Sequence, residues 1–244
     1  MNVLAISNSF GVDANRYLHQ IARAEGEVIN VATLYIGGCP LELHYRNMIS
    51  DQRAYDLHYN GYNTAFKVSL EEALLNRHWD VITLQQASHQ SFKPECYEPY
   101  AQELYDFVKT CQPKAKVLIH QTWAYEDGSE KLANMGFATA KDMFAAIENA
   151  YQLCHESLGT DGIIPCGKLM MELLDRGIEK VHRDTFHASR GLGRYAQGLL
   201  WYRLLTGKSV AENTFRDFDE PVTDEEIAIA KAAVDSFVPV GTEK

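Results

Sequence analysis

Short apolar runs alternate with amphipathic stretches along almost the whole chain, and this alternation constrains the fold more than any other feature. Five runs have the length and composition of buried strands, at residues 3–7, 28–35, 81–85, 117–121 and 162–165. Stretches with helical spacing lie at 14–24, 66–77, 97–110, 138–157, 167–176, 189–205 and 224–237. Strands that alternate with helices predict a mainly parallel five-stranded sheet with helices on both faces, a three-layer α/β/α sandwich.

Composition limits the organisation and the partners of the chain. With 244 residues, 46% of them apolar, it is long enough for one large domain, which we predict over residues 1–244. The formal net charge of −10 argues against a nucleic-acid partner, since phosphate contacts require clustered Lys and Arg. No apolar run approaches the roughly 20 residues of a membrane span, and the N-terminus lacks the pattern of a signal peptide. We therefore expect a cytoplasmic protein without a membrane partner.

The cysteines predict thiols rather than disulfides, because they are odd in number and show no Cys-x-x-Cys pairing. Their positions are 39, 96, 111, 154 and 166. Cys39 follows Gly37-Gly38 at the end of the second strand. It is therefore either a small apolar filler or a nucleophilic thiol near the rim of the sheet.

Two segments at opposite ends of the chain carry the residue types of a nucleophilic site. Ser7-Asn8-Ser9-Phe10-Gly11 directly follows the first strand, and Asp184-Thr185-Phe186-His187 precedes the predicted helix 189–205. In α/β sheets, ligands bind at the carboxyl ends of the strands, where helix N-termini offer free N–H groups. Ser9, His187 and Asp184 would then supply a nucleophile, a base and a carboxylate that orients the base.

Each segment also has a purely structural interpretation. Ser9 is a common residue type at a helix N-cap, and His187 is satisfied by Asp184 alone if it is a partly buried histidine. The functional interpretation is favoured because both segments lie at loop-to-helix junctions that we expect on the same rim of the sheet.

Two stretches fall outside the regular alternation. Residues 41–63 are rich in polar and aromatic side chains, which suits either a substrate surface or a surface excursion whose aromatics pack on the core. These side chains are His44, Tyr45, Arg46, Tyr55, His58, Tyr59 and Tyr62. Residues 122–139 contain Trp123 and Tyr125 and follow the fourth strand, so we expect them to overhang the rim.

Taken together, four blocks resemble those of the SGNH (GDSL-like) hydrolases. Ser7-Asn8-Ser9 is similar to their Gly-Asp-Ser block, with Ser7 in place of the glycine and Asn8 in place of the aspartate. Gly37-Gly38 is similar to the glycine block, and Asp184-x-x-His187 matches the Asp-x-x-His block. Where many members have Gly-x-Asn-Asp, this chain has Gln85-Gln86-Ala87-Ser88, which resembles the variant of sialate and other carbohydrate acetylesterases. The whole also resembles a group of bacterial SGNH-like proteins.

The resemblance implies a flavodoxin-like sandwich and a role for each matching residue. Ser9 would attack an ester carbonyl, His187 would transfer the proton and Asp184 would hold the imidazole. The oxyanion would be bound by the N–H groups of Ser9 and Gly38 and by the side-chain amide of Gln85 or Gln86. The residues expected to contact the substrate are Asn8, Gly37, His44, His89 and Trp123. A side chain at Ser7 is expected to crowd the turn.

The sequence thus predicts a serine esterase that removes a small O-acyl group, such as acetyl, from a carbohydrate. Its partner would be a small-molecule ester, and the oligomeric state is left open. We expect no cofactor and no metal, because the histidines show no HExxH or close His/Asp spacing. The alternatives are a flavodoxin-like module that binds phosphate at Ser7-Asn8-Ser9-Phe10-Gly11, a catalytically silent SGNH-like protein, and an acyltransferase that uses the same site.

Overall fold

The computed structural model describes residues 1–238 and contains a seven-stranded sheet with the order β4-β3-β2-β1-β5-β6-β7. The strands are β1 Asn2–Ser7, β2 Asn30–Tyr35, β3 Tyr55–Tyr59, β4 Tyr62–Val68, β5 Val81–Leu84, β6 Lys116–His120 and β7 Gly162–Ile164. Neighbours among β2, β1, β5, β6 and β7 pair in parallel, and these five strands coincide with the predicted ones. Residues 239–244 of the predicted domain lie outside the described part of the chain.

The prediction of a five-stranded sheet was wrong, because β3 and β4 add an antiparallel hairpin beside β2. Its turn is Asn60-Gly61, with φ of 51° and 87°. Positive φ at both central residues is typical of the type I′ turn, which matches the twist of the two strands and which Asn-Gly favours. The hairpin takes up residues 55–68, so most of the stretch 41–63 forms helix or strand.

Ten α-helices are present in residues 1–238. They are α1 Ser9–Asn15, α2 Leu18–Ala24, α3 Leu41–Ser50, α4 Leu70–Leu75, α5 Tyr100–Cys111, α6 Glu130–Asn134, α7 Ala140–Leu158, α8 Cys166–Asp175, α9 Leu192–Thr206 and α10 Asp224–Asp235. The helix predicted over 66–77 is shorter at its start, because β4 runs to Val68 and Ser69 then caps α4 through a reciprocal pair with Glu72. None of the helices in residues 1–238 has the length and apolarity that crossing a membrane requires.

The helices form a layer on each face of the sheet. On one face α9 packs against α1, α2, α8 and α10, and on the other α5 packs against α3, α4 and α7. α9 is buried on nearly all sides, and Gly198 lets it approach α2, since a Cβ there would lie 2.7 Å from Ile21 Cδ1. β1 is the fourth of the seven strands, so the residues that follow it lie in the middle of the sheet's rim.

Candidate active site

The chain turns sharply from β1 into α1, and Ser9 is the first residue of the helix. Asn8 is the N-cap, and its Oδ1 accepts the N–H of Phe10 at 3.1 Å. The N-cap interpretation of Ser9 is therefore wrong, and its side chain is left for other contacts. At the first helical position the N–H of Ser9 has no intrahelical acceptor, so it remains a donor for a ligand.

Ser7 does not crowd this turn, contrary to expectation, because residue 11 is glycine. A Cβ on Gly11 would lie 2.0 Å from Ser7 Oγ and 2.6 Å from Ser7 Cβ. The space that a side chain at residue 11 would occupy thus holds the buried Ser7 side chain. Ser7 therefore fits before the turn because Gly11, four residues later, has no side chain.

The Asn8 side chain also connects the loops that follow three strands. Its Nδ2 donates to Cys39 O at 3.2 Å, after β2, and to Gln86 O at 3.5 Å, after β5. Asn8 is 2% exposed, so these bonds are shielded from water. Although it borders the cleft beside Ser9, this side chain is engaged with the protein.

Asp184, His187 and Ser9 form a continuous hydrogen-bonded chain. His187 Nδ1 lies 2.8 Å from Asp184 Oδ2, and His187 Nε2 lies 2.9 Å from Ser9 Oγ. Because the carboxylate requires a donor at Nδ1, Nε2 is the acceptor for the Ser9 hydroxyl. Partial burial raises the pKa of Asp184, but hydrogen bonds from the His187 ring and N–H and the charge of Arg183 outweigh it, so this pKa lies below its ordinary value. Such a chain can transfer a proton from Ser9 to the histidine.

The loop that carries Asp184 and His187 is held in an unusual conformation. Thr185 has φ of 71°, which a β-branched residue rarely adopts. Its carbonyl accepts the N–H of Glu126 at 2.7 Å, and the next carbonyl, of Phe186, accepts Trp123 Nε1 at 2.7 Å. The segment after β6 therefore fixes the loop from one side.

Aromatic rings enclose the His187 imidazole. The Phe186 ring lies over it with centroids 3.9 Å apart, and Phe10 approaches edge-on at 5.9 Å. Phe10 in turn stacks on Trp123 at 4.0 Å. The rings restrict the imidazole to the orientation in which it reaches Ser9.

A cleft of about 360 Å³ opens beside Ser9 and His187. Its lining consists of Asn8, Ser9, Tyr35, Gly37, Gly38, Ser88, His89, Tyr125, Lys131, Phe186 and His187. Of the residues predicted from sequence, Asn8, Ser9, Gly37, Gly38, His89 and His187 lie there, with Asp184 behind His187. Within residues 1–238, no three His, Cys, Asp or Glu side chains meet as metal ligands would.

Neither predicted glutamine is available to bind an oxyanion. Gln85 Nε2 contacts His120 Nδ1 at 3.0 Å, and Gln85 Oε1 accepts the N–H of Asn8 at 3.4 Å. Gln86 Nε2 donates to Cys96 O at 2.9 Å. The two side chains point in different directions, but both remain inside the protein because the chain stays buried from Gln85 to Ala87. The rim begins at Ser88.

Two predicted substrate contacts are also corrected. His44 is fully buried in α3, stacks on the Tyr55 ring and places Nδ1 3.0 Å from the Tyr55 hydroxyl. Trp123 is fully buried beneath Phe10 and supports the His187 loop instead of contacting the cleft. For His44 and Tyr55 in the stretch 41–63, the interpretation that its aromatics pack on the core is the correct one.

Sequence reasoning assigned no site role to Tyr35, Ser88, Lys131 or Phe186, all of which line the cleft. Phe186 lies inside the Asp184-x-x-His187 block, and Tyr35 ends β2 just before Gly37, so both positions were within reach of the motif analysis. Lys131 and Tyr125 belong to the segment expected to overhang the rim. The sequence did not indicate which side chains of that segment point into the cleft.

The fold is that of the SGNH hydrolases. A protein from Slackia heliotrinireducens that is assigned to the SGNH hydrolases matches with a TM-score of 0.60 and 20% identity, over 84% of this chain and 98% of its own. A protein from Parabacteroides merdae assigned as a GDSL-like lipase matches with a TM-score of 0.54 and 12% identity, over 84% of this chain and 95% of its own. The fold that the resemblance of the four blocks implied is thereby confirmed.

The chain belongs to the family described as "Domain of unknown function (DUF4886)", whose model matches residues 2–236. A DUF4886 family protein from Bacteroides uniformis has a similar structure, with a TM-score of 0.89 and 29% identity over 96% of this chain and 93% of its own. A comparison with curated proteins gave no match.

Proposed function

We propose that the protein is a serine esterase that uses Ser9, His187 and Asp184 as its catalytic triad. The observation that carries this proposal is the hydrogen-bonded chain from Asp184 through His187 to Ser9, with distances of 2.8 and 2.9 Å. Ser9 and His187 are 178 positions apart in the chain, yet their side chains are in contact. Neither a helix N-cap at Ser9 nor a structural Asp184–His187 pair would require this contact.

The chemistry follows from this geometry. Ser9 Oγ attacks the ester carbonyl while His187 Nε2 takes the hydroxyl proton, and the resulting imidazolium is stabilised by Asp184. The C–O bond to the alcohol then breaks, and His187 gives its proton to the departing oxygen. Water, deprotonated by His187, attacks the acyl-serine and releases the carboxylic acid and free Ser9.

The negative charge on the tetrahedral intermediate needs donors on the rim. We assign the N–H groups of Ser9 and Gly38 to this role, since both residues line the cleft and Ser9 starts α1. In place of a glutamine amide we assign the third donor to the Ser88 hydroxyl, which lies 2.9 Å from the Tyr125 hydroxyl in the same cleft. Loss of one such donor lowers kcat by on the order of 10² to 10³ in other hydrolases, and Ser88→Ala tests the assignment.

We propose a small acyl group on a carbohydrate as the substrate, with acetyl as the simplest case. A cleft of about 360 Å³ is near the lower end of the volumes at which ligands bind, which favours a short acyl chain. Tyr35, in its lining, combines an apolar ring face with a hydroxyl group, which suits a sugar ring.

The test is hydrolysis of p-nitrophenyl acetate, with intact-mass detection of the adduct formed by a fluorophosphonate. Wild type is expected to turn over and to form one adduct, and Ser9→Ala is expected to lose turnover by at least about 10³-fold and to form none. His187→Ala is expected to lose both as well. Ser50→Ala, which changes an exposed serine at the end of α3, is the matched control and should behave as wild type.

Three results would separate the alternatives. Full turnover by Ser9→Ala contradicts the proposal. An adduct on Ser9 with turnover only after an acceptor alcohol is added identifies an acyltransferase. Neither turnover nor adduct in wild type indicates a silent or phosphate-binding protein.

A further inference from the structure

Lys131 brings a positive charge into the cleft. It belongs to the short helix α6, whose N-cap Ser129 fixes the first turn, and it lines the cleft beside Tyr125 and Phe186. Its Nζ lies 3.8 Å from the centroid of the Phe186 ring and 5.5 Å from that of Tyr125. Aromatic faces attract an ammonium group, so both rings hold the charge in this position.

No carboxylate neutralises this charge within the cleft. None of the lining residues in the described part of the chain is Asp or Glu, and Lys131 forms no ion pair with any residue from 1 to 238. The pKa of His89, on the same cleft, is lowered by burial and by the nearby charges of Lys93 and Lys131. A chain with net charge −10 thus keeps a cationic cleft next to Ser9.

The position of Lys131 relative to His187 indicates which half of an ester it faces. The Phe186 ring contacts both groups, since its centroid lies 3.9 Å from that of the imidazole and 3.8 Å from the Lys131 ammonium. His187 delivers its proton to the departing oxygen, so the alcohol half of the ester must lie next to the imidazole. Lys131 contacts the same aromatic ring as the imidazole and lines the same cleft, so it lies beside the alcohol half.

We propose that the alcohol half of the substrate carries an anionic group, a carboxylate or a phosphate, and that Lys131 binds it. This inference rests on the proposed esterase function, because it assigns the alcohol half from the role of His187. Lys131 then acts as a specificity-determining residue, since it selects an anionic ester and leaves bond cleavage to the triad.

The test compares 4-acetoxybenzoate with methyl 4-acetoxybenzoate, which share the acetyl group and differ in the charge of the alcohol half. 4-Acetoxyphenyl phosphate extends the comparison to a phosphate. Wild type is expected to have at least a tenfold higher kcat/KM for an anionic ester, and raised salt should reduce this ratio. Lys131→Met keeps the aliphatic stem and should bring the ratio near one, whereas Lys131→Arg should retain most of it.

The matched control is Lys114→Met, which removes an exposed charge outside the cleft lining, before β6, and should leave the ratio as in wild type. The inference is overturned if wild type hydrolyses both esters equally, or if Lys131→Met lowers both values of kcat/KM by the same factor. A wild-type protein that hydrolyses neither ester would contradict the esterase function instead.

If wild type hydrolyses neither ester, a binding measurement still tests whether the cleft prefers an anion. Calorimetric titration with 4-hydroxybenzoate and 4-hydroxybenzamide should show preference for the anion in wild type and its loss in Lys131→Met. Equal binding of the two compounds by wild type would overturn the anionic site without reference to turnover.

Discussion

Arg183 Nη1 lies 3.0 and 2.9 Å from the two carboxylate oxygens of Asp13, and this contact joins the helix of Ser9 to the loop of His187. Asp13 lies one turn after Ser9 in α1, and Arg183 directly precedes Asp184. Arg194, at the start of α9, donates to the same carboxylate at 2.9 Å. The two halves of the proposed triad are therefore connected by a charge network beneath the cleft.

Replacement of Asp13 by alanine is expected to lower both stability and turnover. The Asp13 side chain is 1% exposed, and its loss deprives both Arg183 and Arg194 of their buried carboxylate, at a cost of about 3–5 kcal/mol for breaking such a pair. Urea unfolding measures this loss, and kcat should fall more than KM rises, because Ser9 and His187 lose their alignment.

Asp219→Ala is the matched control for Asp13→Ala. It removes another partner of Arg194 but has a side chain 27% exposed and no contact with Arg183. It should cost less stability and leave kcat close to wild type. If the two variants reduce kcat equally, the network has no special role in aligning the triad.

The close approach of Ser7 and Gly11 predicts a compensating pair of substitutions. Gly11→Ala alone places a Cβ 2.0 Å from Ser7 Oγ and should destabilise the protein by about 1–3 kcal/mol and lower turnover. Ser7→Gly removes the obstructing atoms, so the double variant should regain most of both. Urea unfolding and esterase assays of all four proteins give the coupling free energy, and additive effects would contradict the steric explanation.

Cys39 is expected to be chemically inert despite its place behind Gly38. It is fully buried, and burial raises the pKa of its thiol to about 12, so no thiolate forms near neutral pH. Iodoacetamide at pH 8, followed by peptide mass analysis, should modify the partly exposed Cys96 or Cys111 while Cys39 stays free until the protein is unfolded. Cys39→Ala should keep esterase turnover. Rapid labelling of Cys39 together with inactivity of that variant would favour a thiol nucleophile.

Two buried histidines predict a loss of stability in acid. Burial lowers the pKa of His44 and of His120 from 6.5 to about 3. Between these values the unfolded chain binds more protons, so the free energy of unfolding falls as the pH falls, by up to about 1.4 kcal/mol per pH unit for each histidine. Above pH 6.5 their contribution is fully present and constant.

Urea unfolding at several pH values from 7.5 to 5 measures this slope. His44→Phe keeps a ring beside Tyr55 without a titrating nitrogen. It should reduce the slope by up to about 1.4 kcal/mol per pH unit, whatever its effect on absolute stability. His78→Asn changes a histidine that is 63% exposed and serves as the control. An unchanged slope in His44→Phe would show that this histidine does not titrate on unfolding.

Sequence patterns predicted the parts of the fold that depend on hydrophobic periodicity. The five parallel strands follow from their apolar runs, and parallel strands place all carboxyl ends on one rim. That rule brought Ser9 and His187 together in the prediction, although 178 positions separate them. The hairpin of β3 and β4 was missed because its residues alternate weakly, although Asn60-Gly61 is a recognisable turn signal.

Side-chain direction in the rim could not be predicted in the same way. Gln85 and Gln86 follow β5 directly, but their amides satisfy buried groups on other elements, such as His120 and the Cys96 carbonyl. His44 was placed on a substrate surface because the hairpin that buries it was unknown. These errors share one cause. The hydrogen-bond partners of these side chains come from distant segments, and hydrophobic periodicity does not indicate such contacts.

Deamidation of Asn8 to aspartate would disrupt the arrangement of the loops at the rim. An aspartate at this position could still cap α1, but a carboxylate has no hydrogen to donate to the carbonyls of Cys39 and Gln86. Slow deamidation of Asn8 would therefore set a negative charge against two carbonyl oxygens and separate the loops after β1, β2 and β5. We expect an aged sample to stay folded through its core and yet to lose the surroundings of Ser9.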